Sequence, residues 1–302
     1  MIPDGIILLD KKEGITSMAS DNFIKKIAGT RKVGHSGTLD PFATGLLPVF
    51  TGKALKVMRY TDDYDKAYEC TAVFGVRTST MDPEGEITAV STLTGSDEEF
   101  EAIRDAFSKL SGITSQVPPS FSAKKIDGQK AYDLARRGVE VTMPSHPVKI
   151  YSLEVRGMSF EDGRIYADIS VECSKGTYIR SICDDAGEMT GFHAHALRLR
   201  RTKAGPFDIK DSYTEEQIAL MSKAGDYSFV IPRDRALAHL TRIELTDKDY
   251  GDVKLGRKIS ASRFVDVAYG VKVAAFHRDE LTAVLYKDNG VMRIERMLAV
   301  EQ

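Results

Sequence analysis

Apolar and polar residues alternate regularly along several stretches of this chain, and the spacing of the apolar ones predicts the elements. Segment 96–110 repeats its apolar residues at helical spacing and begins with Ser96 and Glu99, the two residues of a capping box. Segment 67–75 instead alternates strictly, as a half-buried strand does. Similar patterns predict strands at 5–10, 148–160, 164–173 and 194–202, and helices at 17–28, 53–60, 129–137, 177–189 and 214–223.

The last part of the chain has a different pattern. Closely spaced apolar runs occupy 265–268, 271–277, 281–287 and 291–300, and the triplet Asp288-Asn289-Gly290 before the last run is a strong hairpin signal. The sequence therefore predicts a small β domain over 229–302, after a larger domain over 1–228. Segment 225–232 is the predicted linker between them.

The stretch 32–51, KVGHSGTLDPFATGLLPVFT, fits neither periodicity and is predicted to be an ordered loop. The residues that interrupt a helix or a central strand are Gly34, Gly37, Pro41, Gly45 and Pro48. Asp40 directly precedes Pro41, so its backbone is pushed toward extended geometry and its side chain is presented from a stiff turn. The local pattern leaves two interpretations open, a carboxylate that only caps the turn and a reactive carboxylate.

Composition narrows the class of protein. The chain has 302 residues, 42% hydrophobic and 28% charged, with no membrane-length apolar run and no secretory signal pattern, so we expect a soluble, cytoplasmic protein. Cys70, Cys173 and Cys183 are too few and too scattered for a disulfide framework and are predicted to be buried thiols. The net charge is only −2, so any cations that bind RNA must gather on one face. Segment 193–203, with several cations and no acid, forms either such a face or an ordinary solvated one.

Segments throughout the chain resemble one known family. The glycine-rich stretch contains GHSGTLDPFATGLLPV, and the other segments, in order, are GIILLDKKEGITS, KAYECTAVFGVRTSTMDPEGEI, VPPSFSAKKIDGQKAYDLARRGVEV, CSKGTYIRSICDDAGE and AHALRLRRTKAGPF. Together they resemble the bacterial tRNA pseudouridine synthase family known as TruB, from Gly5 to about Phe207. The family usually has proline where Lys12 stands here. That departure affects a turn and not the chemistry.

The resemblance implies a fold and an activity. It implies an α+β fold with a mixed, mainly antiparallel sheet flanked by helices, and an insertion at about 116–143 that folds over the RNA. By position, the C-terminal β domain resembles a PUA-like RNA-binding domain. The implied reaction is the isomerisation of uridine 55 in the TΨC arm of tRNA to pseudouridine.

Two residues are implied to carry the chemistry. Asp40 matches the catalytic aspartate of the family. Arg180, in GTYIR, matches the arginine that pairs with it. A carboxylate in a water-poor pocket tends to become protonated unless a cation holds its charge, and a guanidinium suits this role because it stays charged.

Further residues match substrate-binding positions of the family. Tyr68 matches the tyrosine that packs against the flipped base, and its hydroxyl is a candidate for assisting proton removal from C5. Tyr178 and Leu199 match residues that line the pocket, and His35 matches the histidine that enters the RNA loop. Lys11 matches a lysine at the edge of the pocket. For Tyr68, Tyr178 and Leu199, ordinary core packing is the alternative.

The reaction needs no redox equivalent, phosphate donor or metal, so we expect no cofactor and no metal site. The expected partner is the T-arm stem-loop of tRNA, bound by a monomer without an obligate protein partner. Two alternatives stay open. One is a noncatalytic RNA-binding or tRNA-folding protein on the same scaffold, and the other is a guide-RNA-dependent pseudouridine synthase subunit.

Overall fold

The computed structural model describes residues 2–119, 125–126, 129–130 and 143–299. Its α-helices are α1 (Ser17–Ala28), α2 (Leu55–Met58), α3 (Asp97–Leu110), α4 (Ile179–Thr190), α5 (Glu215–Lys223) and α6 (Asp247–Lys254). Short 3₁₀ helices occur at Gly52–Ala54, Arg59–Thr61, Ile209–Asp211 and Arg233–Leu237. Across the ranges just given, no helix is long and apolar enough to span a membrane.

The strands of the N-terminal half are β1 (Ile6–Lys11), β2 (Val33–His35), β3 (Thr44–Thr51), β4 (Lys66–Phe74), β5 (Val76–Thr78), β6 (Ile87–Val90), β7 (Ser115–Gln116), β8 (Lys125–Ile126), β9 (Gln129–Lys130) and β10 (His146–Pro147). Those of the C-terminal half are β11 (Ile150–Glu161), β12 (Arg164–Cys173), β13 (Ala194–Ala204), β14 (Phe207–Asp208), β15 (Val230–Ile231), β16 (Thr241–Glu244), β17 (Ile259–Ser260), β18 (Lys272–His277), β19 (Glu280–Asp288) and β20 (Val291–Met297).

A nine-stranded sheet forms the centre of the molecule. Its order is β11-β12-β4-β13-β3-β1-β15, with β14 beside β13 and β2 beside β3. The pairs are antiparallel except for β13 with β3, which is parallel. Helices α1, α3 and α4 pack on one face through apolar side chains such as Ile24, Phe107 and Ile182. The predicted mixed, mainly antiparallel sheet flanked by helices is confirmed.

The helix ends follow the signals in the sequence. The Thr16 hydroxyl accepts from the Ala19 amide to cap α1, which ends at Gly29 in the left-handed conformation. Ser96 and Glu99 form both halves of the predicted capping box of α3. Helix α4 ends at Gly191, again left-handed. Both helices contact the stretch around Asp40, α1 through Ser17 and α4 through Arg180.

The prediction of a loop over the whole of 32–51 is wrong at both ends. Segments 33–35 and 44–51 are strands, and β3 lies in the middle of the sheet. Gly45, at φ +99°, lets the backbone of Arg201 approach, since a Cβ there would lie 2.4 Å from the Arg201 carbonyl oxygen. Pro48 has no N–H, but that group would face Ser36, the first residue beyond the end of β2, so no hydrogen bond within the β2–β3 pair is lost. The Ser36 amide still donates to the Pro48 carbonyl. The loop is therefore only 36–43.

The C-terminal residues form the predicted β domain, a five-stranded sheet in the order β16-β18-β19-β20-β17. Asn289 and Gly290 both have positive φ, 46° and 76°, as a type I′ hairpin requires. The apolar run 265–268 is not a strand. It lies in turns, where Val267 is buried and Val265 is exposed, so its hydrophobicity reflects irregular packing against the sheet.

The predicted linker at 225–232 is packed into the molecule, and the predicted insertion at 116–143 is described only in part. In the predicted linker 225–232, Phe229 is buried and β15 pairs with β1, while the boundary between 228 and 229 stays a prediction. Most of the insertion 116–143 lies outside the described residues, apart from 116–119, the paired strands β8 and β9, and Met143. A helix is predicted at 129–137, but residues 129–130 form strand β9, so the prediction is wrong there. Residues 131–137 lie outside the described residues.

Candidate active site

A cavity of about 320 Å³ lies where loop 36–43 meets the first residues of α4. Its lining includes the predicted residues Asp40, Tyr68, Tyr178, Arg180 and Leu199. A larger concavity of about 630 Å³ runs along β4, β12 and β13 and has only Leu199 of these in its wall. The smaller cavity is therefore the candidate site.

Arg180 is shared between two carboxylates. Its Nε lies 3.0 Å from Oδ2 of Asp40, and its Nη1 lies 2.8 Å from Oδ2 of Asp82 and donates to the Thr80 carbonyl at 2.8 Å. Arg180 and Asp82 are buried, whereas 40% of the Asp40 side chain is exposed. Asp82 and the Thr80 carbonyl therefore fix the guanidinium on its buried side, and Asp40 is the carboxylate that faces the cavity.

Asp82 is a site residue that the sequence analysis missed. Its segment, Asp82-Pro83-Glu84-Gly85, has the sequence pattern of a turn and nothing more, and the turn is present. Within that turn the Asp82 carboxylate accepts from the Thr80 hydroxyl and from the Glu84 amide, at 3.0 Å for the latter. A turn pattern gives no signal that its first acid points inward to an arginine about 100 residues away.

Burial raises the pKa of Asp40 above its ordinary value. The positive charge of Arg180 opposes this effect, the negative charge of Asp82 adds to it, and Lys11 opposes it weakly. The carboxylate thus stays more basic than an ordinary aspartate, although it is paired with a guanidinium. A more basic carboxylate is a better proton acceptor and a better nucleophile.

Lys11 lies beside the loop and does not line the cavity. It is fully buried, and its Nζ donates to the carbonyl oxygens of Lys12 at 2.9 Å, Ile15 at 2.7 Å and Pro41 at 3.2 Å. Burial lowers the pKa of Lys11 to about 8, with the Asp40 charge acting in the opposite direction. The ammonium therefore ties the residue after Asp40 to the end of β1.

Tyr68 lines the cavity next to Arg201, a second residue that the sequence analysis did not single out. Arg201 is buried and donates from Nε to the Leu46 carbonyl at 2.8 Å and from Nη2 to the Gly37 carbonyl at 2.7 Å. Its positive charge opposes the effect of burial on the pKa of Tyr68. Burial raises the pKa of Tyr68, so its hydroxyl stays neutral near pH 7. Gly37, at φ +71°, has Arg201 against the position of a Cβ, which only glycine tolerates without strain.

Tyr178 and Leu199 form other parts of the wall. Tyr178 is the residue before α4, and the Gln116 amide holds its backbone by accepting from the nitrogen at 2.8 Å and donating to the oxygen at 3.0 Å. Leu199 lies on β13 and is buried apart from its face toward the cavity. The lining of the cavity is therefore partly apolar, from Leu199 and the Tyr178 ring, and partly charged, from the Asp40–Arg180 pair.

His35 lies next to the cavity without lining it. Its Nδ1 is 2.9 Å from Oδ2 of Asp21 in α1, and its Nε2 is 3.1 Å from the hydroxyl of Thr38, which does line the cavity. The structure therefore brings together Asp40, Tyr68, Tyr178, Arg180 and Leu199, and it places His35 and Lys11 one layer further out, on either side of the loop.

Sequence comparison identifies the family. The sequence model for the TruB family pseudouridylate synthase N-terminal domain matches residues 25–179, which include Asp40 and Tyr68. The chain belongs to the TruB family. The model for the tRNA pseudouridylate synthase B C-terminal domain matches residues 180–238.

Members of the TruB family from several bacteria are similar over nearly the whole chain. The tRNA pseudouridine synthase B of Streptococcus gordonii is 38% identical over 286 residues, which cover 94% of this chain and 96% of the relative. That of Aromatoleum aromaticum is 40% identical over 260 residues, covering 86% and 82%.

Solved structures show the same fold. A Cbf5-Nop10-Gar1 complex matches with a TM-score of 0.70 at 24% identity, covering 98% of this chain and 85% of the matched chain. An H/ACA RNP bound to a substrate RNA containing 2′-deoxyuridine matches with a TM-score of 0.69 at 22% identity, with the same coverage. At these identities the likeness concerns the TruB fold alone.

Proposed function

We propose that this protein is a tRNA pseudouridine synthase that isomerises uridine 55 in the T arm, with Asp40 as its catalytic carboxylate. The observation that carries the proposal is the ion pair of 3.0 Å between Asp40 and Arg180 beside a cavity of about 320 Å³. Family membership supports pseudouridine formation. The relatives' names support tRNA as the substrate.

The site supplies what the isomerisation requires. The N1–C1′ bond of uridine breaks, the uracil turns, and C5 bonds to C1′ while the proton on C5 leaves and N1 gains a proton. One basic carboxylate near the ribose and the base serves this reaction, either as a nucleophile or as a proton acceptor, and Asp40 is the exposed member of its ion pair. Arg180 keeps it ionised, and Asp82 keeps Arg180 in place.

The walls of the cavity suit an extruded base. A uridine within a folded tRNA must leave its stack to reach Asp40, and ring faces stabilise it when it does. Tyr68 offers such a face and a neutral hydroxyl that can relay the C5 proton to the Asp40 carboxylate, while Tyr178 and Leu199 enclose the base from other sides. His35 and Lys11 act from outside the cavity, His35 toward the RNA loop and Lys11 on the loop that carries Asp40.

The remaining parts of the chain complete the proposal. We assign residues 1–228 to the catalytic domain, with 116–143 as the RNA-clamping insertion, and 229–302 to a PUA-like RNA-binding domain. The protein acts on the T-arm stem-loop as a monomer and without a protein or guide-RNA partner. That separates it from a guide-RNA-dependent subunit of the same fold.

The test compares Asp40→Asn with the wild-type protein. A T-arm stem-loop carrying tritium on C5 of uridine 55 should release tritium with purified wild-type protein alone, because the isomerisation removes that hydrogen. With Asp40→Asn the release should vanish while RNA binding persists. Asp162→Asn, in the exposed turn between β11 and β12, is the matched control and should keep full activity.

Other outcomes would favour the alternatives. Turnover by Asp40→Asn would remove Asp40 from its role. A wild-type protein that binds the stem-loop but never releases tritium would be an RNA-binding or RNA-folding protein. Activity that appears only after a guide RNA or a partner protein is added would identify a subunit. Release from another labelled uridine would correct the position.

A further inference from the structure

One face of α1 is directed at the loop that carries Asp40. Ser17 and Asp21 are one helical turn apart, and both are buried. The Ser17 hydroxyl clamps Leu39, accepting from its amide at 2.9 Å and donating to its carbonyl at 3.0 Å. Asp21 instead reaches His35, with 2.9 Å between its Oδ2 and Nδ1 of the ring. The helix thus holds the loop at two points, next to Asp40 and at its beginning.

Asp21 is a costly residue for this position. Only 4% of its side chain is exposed, and its Oδ1 has no hydrogen-bond partner within the part of the chain that the structure describes. A buried carboxylate with one hydrogen-bonded oxygen destabilises a fold relative to an apolar side chain of similar size. Its neighbour Ser20 is also buried with an unbonded hydroxyl, so the surroundings offer no compensation. The benefit of Asp21 must therefore lie in what it does to His35.

The contact with Asp21 fixes the ring of His35. With the Asp21 carboxylate accepting from Nδ1–H, the tautomer and the plane of the imidazole are set, as in other carboxylate–histidine pairs. The other nitrogen, Nε2, is then aimed at the hydroxyl of Thr38, which lines the cavity. A ring bonded at both nitrogens has one orientation.

We propose that Asp21 is a positioning residue that orients His35 for binding of the RNA loop. This inference rests on the proposed function, because it assumes that His35 meets the RNA. A pre-oriented ring loses no rotational freedom when the RNA arrives, so Asp21 strengthens binding and leaves the chemical step to the Asp40 pair. Ser17, which holds the residue next to Asp40, acts on the chemical step instead.

The experiment measures binding and chemistry separately in Asp21→Leu. We expect its Kd for the T-arm stem-loop to rise about tenfold, the value of one lost oriented hydrogen bond. The single-turnover rate at saturating RNA should stay unchanged, and the Tm should stay equal or rise because a buried charge is removed. Asp21→Asn should restore most of the affinity, because its amide oxygen still accepts from Nδ1–H. Asp21→Ala replaces Asp21→Leu if the latter does not fold.

A double-mutant cycle tests whether the effect passes through His35. Asp21→Leu combined with His35→Phe should bind RNA no worse than His35→Phe alone. Ser17→Ala is the control on the same helix face. Ser17→Ala should lower the single-turnover rate at saturating RNA and leave the Kd for the stem-loop unchanged.

The inference would be overturned by an unchanged Kd in Asp21→Leu, by effects of Asp21 and His35 that add, or by a loss confined to the saturating rate. The binding measurements do not depend on turnover. A wild-type protein without isomerase activity would therefore overturn the proposed function while the cycle still decides the role of Asp21.

Discussion

Charged side chains are buried around the loop that carries Asp40, whereas in the C-terminal sheet they stay at the surface. The residues near the loop that are at most 3% exposed include Lys11, Asp21, Asp82, Arg180 and Arg201. In the C-terminal domain the Arg242–Asp279 pair has 49% and 92% of its two side chains exposed. The two regions therefore handle the cost of removing a charge from water in opposite ways.

The difference indicates where charge has a purpose beyond stability. The C-terminal sheet has an apolar core, with Val273, Leu285 and Met292 fully buried, and it keeps its ions in solvent. Around the loop each buried cation holds backbone carbonyls or a carboxylate of the site. Buried ions are worth little for stability on balance, so their concentration here is best explained by the positioning of Asp40. Substitutions should then have large effects near the loop and small ones in the C-terminal domain.

The largest effect is expected from Arg180→Lys. A lysine keeps the charge, but its single ammonium cannot reproduce separate bonds from Nε to Asp40 and from Nη1 to Asp82. We expect kcat to fall about 10²- to 10³-fold, with little change in RNA binding. Single-turnover tritium release at saturating RNA measures it. Arg77→Lys, which disturbs the bidentate pair with Asp184 on the same helix, is the control and should keep most of the rate.

Lys11→Met tests the burial of a charge without touching the cavity. Because the pKa of Lys11 is lowered from 10.5 to about 8, the unfolded chain holds its proton to higher pH than the folded protein does. Raising the pH through this window therefore favours the folded state. The free energy of unfolding of the wild type, relative to that of Lys11→Met, should rise by about 3 kcal/mol between pH 8 and pH 10.5.

Urea unfolding at a series of pH values measures this rise. The control is Lys12→Met, at the exposed neighbour of Lys11. Because Glu215 raises the pKa of Lys12, the free energy of unfolding of the wild type relative to Lys12→Met cannot rise with pH. A flat difference between the wild type and Lys11→Met would mean that Lys11 keeps an ordinary pKa in the folded protein. The ammonium would then not be a buried ion, and the contrast between the two regions would weaken.

Asp82→Asn should have a smaller effect on the rate and a distinctive effect on its pH dependence. The charge of Asp82 contributes to raising the pKa of Asp40, so its removal lowers that pKa. In the plot of reaction rate against pH, the acid limb is where Asp40 becomes protonated. This limb should move to lower pH. The plateau rate should fall about tenfold because a less basic carboxylate reacts more slowly.

An acid limb that stays in place would contradict the shared-arginine arrangement. Glu161→Gln, an exposed acid at the far end of β11, is the charge control.

The parts of the structure that the sequence predicted are those with local or motif signals. The helix caps at Thr16 and Ser96 and the Asn289-Gly290 hairpin depend only on residues that are close in sequence. The grouping of Asp40 with Arg180 came from the resemblance of their segments to one family. The structure brings those two side chains within 3.0 Å of each other.

The parts that were missed depend on distant partners. Gly45 and Pro48 look like breaks in any strand, and only the approach of Arg201 and the end of β2 make them acceptable in β3. Asp82 looks like a turn residue until Arg180 is folded against it. Asp21 lies in a helical segment whose pattern gives no indication that it meets His35. Such contacts are tertiary, and local pattern carries no information on them.

The smallest effect is expected from Lys272→Ala, which removes an ion pair from the C-terminal sheet. Lys272 Nζ lies 2.9 Å from Glu295 Oε1 and above the ring of Tyr60, and 45% of its side chain is exposed. Exposed pairs of this kind contribute little, so the Tm should fall by about 1 °C or less, and tritium release should not change. High salt should remove the remaining difference, because it screens an exposed pair. A much larger fall in the Tm would mean that the contact of Lys272 with Tyr60 and Glu295 stabilises the fold through charge. The contrast between the C-terminal sheet and the region of the loop would then fail.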